Sequence, residues 1–129
     1  MNTPNNLKYT KTHEWIKAEN NIAVEGITDF AQSELSDIAF VELPEKGRTV
    51  KQGESIGTIE AVKAVSDLIA GVSGEIIEVN EALKDSPDKI NTGAFDEGWI
   101  VKIKMSNPDE TKNLMNSEEY AKHCETSHH

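Results

Sequence analysis

Short segments in which apolar and polar positions alternate follow one another along most of the chain. In the clearest of them, at 98–105, Val101 and Ile103 occupy one face while Lys102 and Lys104 occupy the other. Alternation with a period of two residues predicts a β-strand with one buried face. Similar patterns predict strands at 7–18, 22–27, 37–43, 49–50, 55–59, 66–69 and 74–80.

Turn-forming and helix-capping residues separate these strands. Asn20 and Asn21 predict a hairpin turn, because asparagine tolerates a positive φ. Thr28 and Asp29 offer an N-cap for a short helix at about 29–35. The remaining predictions are a helical turn at 81–85, a loop at 91–93, a helix opening at Pro108 and a further helix starting at Ser117.

Many short strands at regular spacing, bounded by glycine turns, favour a sandwich or a flattened barrel. A chain of 129 residues suits a single domain with a modest core. We expect residues 1–6 to be loose and 107–129 to form a helical tail. The predicted fold class is therefore mainly β, a flattened barrel or sandwich hybrid with short helices.

The segment between Gly57 and Gly71 supports two different predictions. Glu60, Lys63 and Asp67 stand at i, i+3 and i+7, which favours an amphipathic helix with an ion-paired surface lysine. Five β-branched residues in the same segment favour extended chain, and so a β-hairpin with the lysine at its tip. Turn chemistry does not decide between them, because the segment contains no Asn-Gly or Asp-Gly pair.

The net charge of −10, with Arg48 as the only arginine, argues against nucleic acid as a partner. An acidic surface suits docking on basic protein surfaces, and equally suits solubility alone. No apolar run is long enough to span a bilayer, and the first residues lack the features of a secretory signal. The single cysteine, Cys124, excludes an internal disulfide and fits a reducing compartment, so we expect a cytoplasmic protein.

Enzyme and metal-site motifs are not found in the sequence. Gly71-Val-Ser73-Gly74 lacks the spacing of a nucleophile elbow. Gly53 and Gly57 do not form a phosphate-binding loop, because no Gly-Lys-Ser/Thr follows them. His123 and Cys124 with His128 and His129 lie in a polar tail without paired-ligand spacing. We therefore predict neither a catalytic residue nor a metal site.

The segment Glu60-Ala-Val-Lys63-Ala-Val-Ser66-Asp67 resembles the lipoyl-attachment segment of glycine cleavage system H proteins, which usually reads Glu-Ser-Val-Lys-Ala. Biotinyl domains usually carry Met-Lys-Met around the modified lysine, and the lipoyl domains of 2-oxo-acid dehydrogenases usually carry Asp-Lys-Ala. Here the neighbours of Lys63 are Val62 and Ala64, so both families fit less well. Further motifs of the H-protein family lie in the same order at 12–15, 26–32, 40–44, 73–80 and 98–99.

The resemblance implies a fold of the lipoyl/biotinyl carrier type with lipoate joined to Lys63 as an amide. It implies a non-catalytic carrier that takes an aminomethyl group from a pyridoxal-phosphate glycine decarboxylase to a tetrahydrofolate-dependent aminomethyltransferase. Dihydrolipoamide dehydrogenase would then reoxidise the arm, and a lipoate-attaching enzyme would install it. The alternatives are a lipoyl relay that donates lipoate to other carriers, and an unmodified interaction module.

Three carboxylates are further candidates for this site. Glu14 is expected to shelter a cationic aminomethyl group by a charge-assisted hydrogen bond, unless it is an ordinary solvated strand residue. Glu60 and Asp67 flank the lysine and are expected to serve in recognition by the lipoate-attaching enzyme; Asp67 is also a second candidate for holding the aminomethyl group, and the two roles are compatible. Gly71 stands where the family commonly has proline, which we expect to loosen that turn.

Overall fold

The structure of the chain, a computed structural model, describes residues 3–127. Its strands are β1 (Lys8–Tyr9), β2 (Glu14–Glu19), β3 (Ile22–Ile27), β4 (Ile38–Glu42), β5 (Thr49–Val50), β6 (Ser55–Ala61), β7 (Val65–Ile69), β8 (Gly74–Val79) and β9 (Val101–Met105). Its helices are α1 (Asp29–Leu35), α2 (Ala82–Asp85), α3 (Lys89–Thr92), a 3₁₀ helix (Pro108–Asn113) and α4 (Ser117–Ser127).

The strands form two antiparallel sheets, and neither closes into a barrel. The larger sheet has the order β1-β2-β3-β9-β8-β5, and the smaller has the order β4-β6-β7. The main hydrophobic core draws side chains from both sheets, including Ile16, Ile103, Ile59 and Leu68. The predicted mainly β class with short helices and a C-terminal helix is thus confirmed, with an open two-sheet arrangement.

A second apolar cluster forms on the opposite side of β2 from the main core. The rings of Tyr9 and Tyr120 stack with their centroids 4.5 Å apart, which fastens α4 to β1. Trp15 is buried in the same cluster, and its indole N–H donates to the carbonyl of Ala94 at 2.8 Å. Because Trp15 and Ile16 point to opposite faces of β2, this one strand contributes to both cores.

Three sequence predictions of local structure were wrong. The expected strand at 7–18 is interrupted by a turn, in which the amide of His13 (φ 71°) donates to the carbonyl of Thr10. The chain thus reverses, and β1 pairs with β2. The strand expected from 98 begins at 101, because the amides of Gly98 and Trp99 bond back to the preceding turn. The loop expected at 91–93 is partly helix α3.

The predicted turn and cap are confirmed. Asn20 and Asn21 have φ values of 52° and 66° and connect β2 to β3. Thr28 is the N-cap of α1, since its hydroxyl accepts a hydrogen bond from the amide of Ala31. Within residues 3–127, no helix is both long and apolar enough to cross a membrane.

We predict that Gly57→Ala destabilises the fold by about 1–3 kcal/mol, the usual cost of overpacking. A Cβ at this position would lie 2.5 Å from the carbonyl oxygen of Glu42, so β4 would have to move away from β6. Urea unfolding measures the change. Ser55→Ala, at an exposed position of the same strand, is the control and should change the stability by less than about 0.5 kcal/mol. Equal stability of both variants would contradict this packing account.

Candidate functional site

Lys63 lies at the tip of a β-hairpin made by β6 and β7. The two strands pair antiparallel up to Glu60 and Val65, and the turn is closed by the amide of Ala61 donating to the carbonyl of Ala64 at 2.7 Å. The amide of Val62 donates to the carbonyl of Asp37 at 3.0 Å, which fastens the tip to the segment before β4. The helical alternative for this segment is wrong.

Burial explains why extended chain prevails over helical spacing here. Ile59 and Leu68 are fully buried between the two sheets, whereas Val62 and Val65 remain 74% and 65% exposed. A strand places alternate residues on one face, so the two inward residues can be buried while the tip remains outside. Lys63 is itself exposed, and no ion pair among residues 3–127 includes it.

Glu60 and Asp67 lie on the outer face of the smaller sheet, close to the turn. Glu60 pairs with Val65, and Asp67 pairs with Thr58 two pairs further from the tip. Residues two apart on a strand, and residues paired across strands, share a face. Both carboxylates are exposed, so a partner that approaches the tip can reach them.

Glu14 is buried, with only 1% of its surface exposed, so the solvated alternative is wrong. One carboxylate oxygen accepts hydrogen bonds from the hydroxyls of Thr10 and Thr12, and the other accepts from the amide of Ile69 at 3.4 Å. The turn between β1 and β2 supplies the hydroxyls, and the hairpin strand β7 supplies the amide. Glu14 therefore joins the Lys63 hairpin to the larger sheet.

A cavity of about 390 Å³ opens beside Glu14. All three residues that donate to Glu14 line it, so the carboxyl group, which is not itself a lining residue, lies directly behind its wall. Apolar side chains, among them Leu114 and Met115, line the cavity as well. None of the residues that donate to Glu14 lines a larger groove of about 500 Å³ near Phe40, so that groove is the weaker candidate.

Burial also controls the proton affinity of the site. Burial raises the pKa of Glu14 to about 7, although the hydrogen bonds from Thr10, Thr12 and Ile69 act to lower it. Glu25, on β3, is fully buried, and the pKa of its carboxyl is raised well above the ordinary value by burial and then by the charge of Glu14. Two carboxyl groups in one dry environment cannot both ionise at low cost.

Glu25 is a residue that our sequence analysis missed. The available signal was its position, since Ala23, Glu25 and Ile27 occupy the same face of an alternating strand. All three are buried, which makes Glu25 a carboxylate at a core position. An acidic residue on the apolar face of a predicted strand is unusual enough to be a candidate without any motif.

Gly71 is fixed where we expected a looser turn. It is buried, its amide donates to Oε1 of Glu25 at 2.8 Å, and its carbonyl accepts from the side-chain amide of Gln52 at 3.0 Å. A proline here could not make the first of these bonds, because proline has no N–H. Two hydrogen bonds thus restrain this turn, where the ring of a proline would restrain it in the family that the sequence resembles.

The His/Cys cluster considered in the sequence does not assemble in the part of the chain that the structure describes. Cys124 is a buried residue of α4, and Nε2 of His123 lies 2.9 Å from the carbonyl oxygen of Lys11. His128 and His129 lie outside the described residues. From 3 to 127, no group of three His, Cys, Asp or Glu side chains is placed to hold a metal ion.

We predict that Glu14→Gln changes the pH dependence of stability. The pKa of Glu14 rises from 4.5 in the unfolded chain to about 7 in the fold. The contribution of this carboxyl group to stability is therefore present below pH 4.5 and is lost as the pH rises through 7. The neutral glutamine escapes this loss. Relative to wild type, the variant should gain about 2–3 kcal/mol between pH 4.5 and pH 8.5.

Urea unfolding at both pH values measures this gain, and Glu60→Gln, an exposed carboxylate, is the control. A stability difference between wild type and Glu14→Gln that is the same at both pH values would contradict a raised pKa.

Comparisons with known proteins agree with one another. The chain matches the family model described as glycine cleavage H-protein over residues 7–127. It is 52% identical over 119 residues to a glycine cleavage system H protein of Symbiobacterium thermophilum, covering 92% of this chain and 93% of that protein. It is 50% identical over 125 residues to one of Halothermothrix orenii, covering 97% and 98% respectively.

A solved structure extends this agreement to three dimensions. The crystal structure of a glycine cleavage system H protein from Mycobacterium marinum superimposes with a TM-score of 0.86 at 41% identity, covering 92% of this chain and 96% of that one. Family model, sequence relatives and structure all cover nearly the whole chain. The chain therefore belongs to the glycine cleavage H-protein family.

Proposed function

We propose that this chain is the lipoyl carrier of a glycine cleavage system, with Lys63 as its lipoyllysine. The carrier takes an aminomethyl group from the glycine decarboxylase to the aminomethyltransferase, and then presents the reduced arm for reoxidation. The observation that carries the proposal is an exposed lysine, without an ion pair among residues 3–127, at the tip of a hairpin in a chain of this family.

The surroundings of Lys63 fit a lipoyl group. An amide bond to lipoate needs an accessible amine and removes its charge, and none of the described ion pairs would be broken by that loss. When bound, lipoate supplies a disulfide that accepts the aminomethyl group on sulfur. The protein supplies position and reach, so no general base beside the lysine is needed.

Glu14 and its cavity are suited to shelter the loaded arm. The aminomethyl group is cationic near neutral pH, and a buried carboxylate beside the cavity holds an ammonium group by a charge-assisted hydrogen bond. Ile69, whose amide donates to Glu14, is four residues from Val65 along β7, about 13 Å at the usual rise per residue. A lipoyllysine arm that folds back along the hairpin has to bridge a distance of this order.

The carrier has four proposed protein partners. They are the pyridoxal-phosphate glycine decarboxylase, the tetrahydrofolate-dependent aminomethyltransferase, dihydrolipoamide dehydrogenase and a lipoate-attaching enzyme. We assign Glu60 and Asp67 to recognition by the last of these, because both are exposed beside the tip. The carrier itself contributes no catalytic residue, and a cytoplasmic location remains a prediction from the cysteine content.

We predict that the lipoylated protein supports exchange of the glycine carboxyl group with labelled bicarbonate by a glycine decarboxylase. Lys63→Arg should abolish exchange, because arginine keeps the charge but offers no amine for lipoylation. Intact mass must first show one lipoyl increment on wild type and none on the variant. A wild-type chain that a lipoate ligase leaves unmodified would refute the proposal, and modification without exchange would favour the relay alternative.

We predict that Glu14→Gln shortens the half-life of the loaded arm, the lipoyl group that carries the aminomethyl group, by about ten- to a hundredfold at pH 8. This is the effect expected from the loss of one charge-assisted hydrogen bond. The advantage of wild type should shrink at acidic pH, because Glu14 then takes up a proton; the bound ammonium group lowers the pKa of Glu14, so this loss begins at a lower pH than in the protein without cargo. Ammonia release from the isolated, loaded protein measures the half-life. Glu75→Gln, which changes an exposed carboxylate on β8, is the matched control, and equal half-lives of all three proteins would remove Glu14 from this role.

A further inference from the structure

The segment 69–73, which follows β7, is bonded to three separate carboxyl groups. Every second amide of the segment donates to one of them. The three bonds are Ile69 to Glu14 at 3.4 Å, Gly71 to Glu25 at 2.8 Å and Ser73 to Glu110 at 2.7 Å. The acceptors come from β2, β3 and the 3₁₀ helix respectively.

These side chains take the place of a neighbouring strand on one side of the segment. On its other side the backbone is paired in the ordinary way, since the amide of Gly53 donates to Ala70 and the amide of Ala70 donates to Glu54. Gln52 and Gly53 line the cavity beside Glu14, together with Ile69. The position of 69–73 therefore determines the shape of one cavity wall.

Glu25 differs from the other two carboxyl groups in its surroundings. The second oxygen of Glu110 accepts from the hydroxyl of Ser73, and Glu14 has the hydroxyls of Thr10 and Thr12. In Glu25, Oε2 is buried and has no hydrogen-bond partner among the described residues. A full charge there would be strongly unfavourable, so this carboxyl group keeps its proton.

We propose that Glu25, in its protonated form, is a positioning residue for the sheltered arm. Its carboxyl group accepts a hydrogen bond from the amide of Gly71. The carbonyl of Gly71 in turn accepts a hydrogen bond from the side chain of Gln52, which lies at the cavity wall. The same segment presents the amide of Ile69 to Glu14. This inference rests on the proposed function, since it assigns Glu25 a part in sheltering the aminomethyl group.

The protonation of Glu25 also decides the charge of the site. With the proton on Glu25, the two buried carboxyl groups carry one negative charge between them, and Glu14 holds it. One anion matches one primary ammonium group, and Lys11, which also lines the cavity, adds a positive charge of its own.

The experiment compares Glu25→Gln with Glu25→Ala. Glutamine keeps the neutral acceptor for Gly71, so the half-life of the loaded arm should stay within about twofold of wild type. Alanine leaves the buried amide of Gly71 without a partner, and the half-life should fall about tenfold. In the protein without cargo, hydrogen exchange of the Gly71 amide should be about tenfold faster in Glu25→Ala than in the other two proteins.

Ile90→Ala is the control for general destabilisation, because Ile90 is a buried core residue on α3 and lines no part of the cavity. It should lower the melting temperature without shortening the half-life. An unchanged Gly71 exchange rate in Glu25→Ala, or equal half-lives in the alanine and glutamine variants, would overturn the inference. If wild type itself decays as fast as Glu14→Gln, the sheltering role of Glu14 fails instead, while the exchange measurement still tests Glu25.

Discussion

Burial of the inward side chains of the β6–β7 hairpin is the constraint on which the site depends. Ile59 and Leu68 are fully buried between the sheets, so the hairpin belongs to the core as far as the Ile59–Ser66 pair, the second pair from the turn. Only the three residues between the strands project beyond them. A lysine at such a tip is accessible from many directions, while its backbone stays in one place. Without that packing, Lys63 would be one of many mobile surface lysines.

Buried carboxyl groups give this chain its second unusual property. Glu14 and Glu25 occupy positions that most proteins fill with apolar side chains, and both have raised pKa values because of burial. Hydrogen bonds from hydroxyl and amide donors offset the cost of burying the Glu14 carboxyl group, whereas the Glu25 carboxyl group has one amide donor. Their presence costs stability, which makes both residues candidates for the functional roles proposed above.

Much of the architecture was predictable because it depends on local pattern. Alternation in 101–105 and the two asparagines at 20 and 21 led to correct elements, since burial and φ preference act within a few residues. The break at His13 was not predictable, because it depends on hydrogen bonds between Thr10 and Glu14 that only the folded turn provides. Likewise, the spacing around Lys63 permitted a helix, and only packing across the sheets excludes it.

The site was predictable to a smaller degree. Motif resemblance was sufficient to select Lys63, Glu60, Asp67 and Glu14 as candidates, but it carried no information on which of them is buried. The partners of Glu14 are close in sequence except for Ile69, whose contribution arises from the hairpin folding against β2. Glu25 belongs to no motif that we considered, and its role depends on Gly71, which is 46 residues away.

The hydrogen bond from Val62 to Asp37 has a kinetic consequence. Because this hydrogen bond holds the tip, the proposed lipoyl arm on Lys63 is attached at a fixed point. The free end of the arm then searches a fixed volume around that point. For a short flexible tether, the effective concentration of the end group at a nearby cavity is in the millimolar range. If the proposed arm and cavity act together, an enzyme that removes the cargo must compete with recapture by the carrier itself, and the rate of transfer then depends on how long the arm stays out of its own cavity.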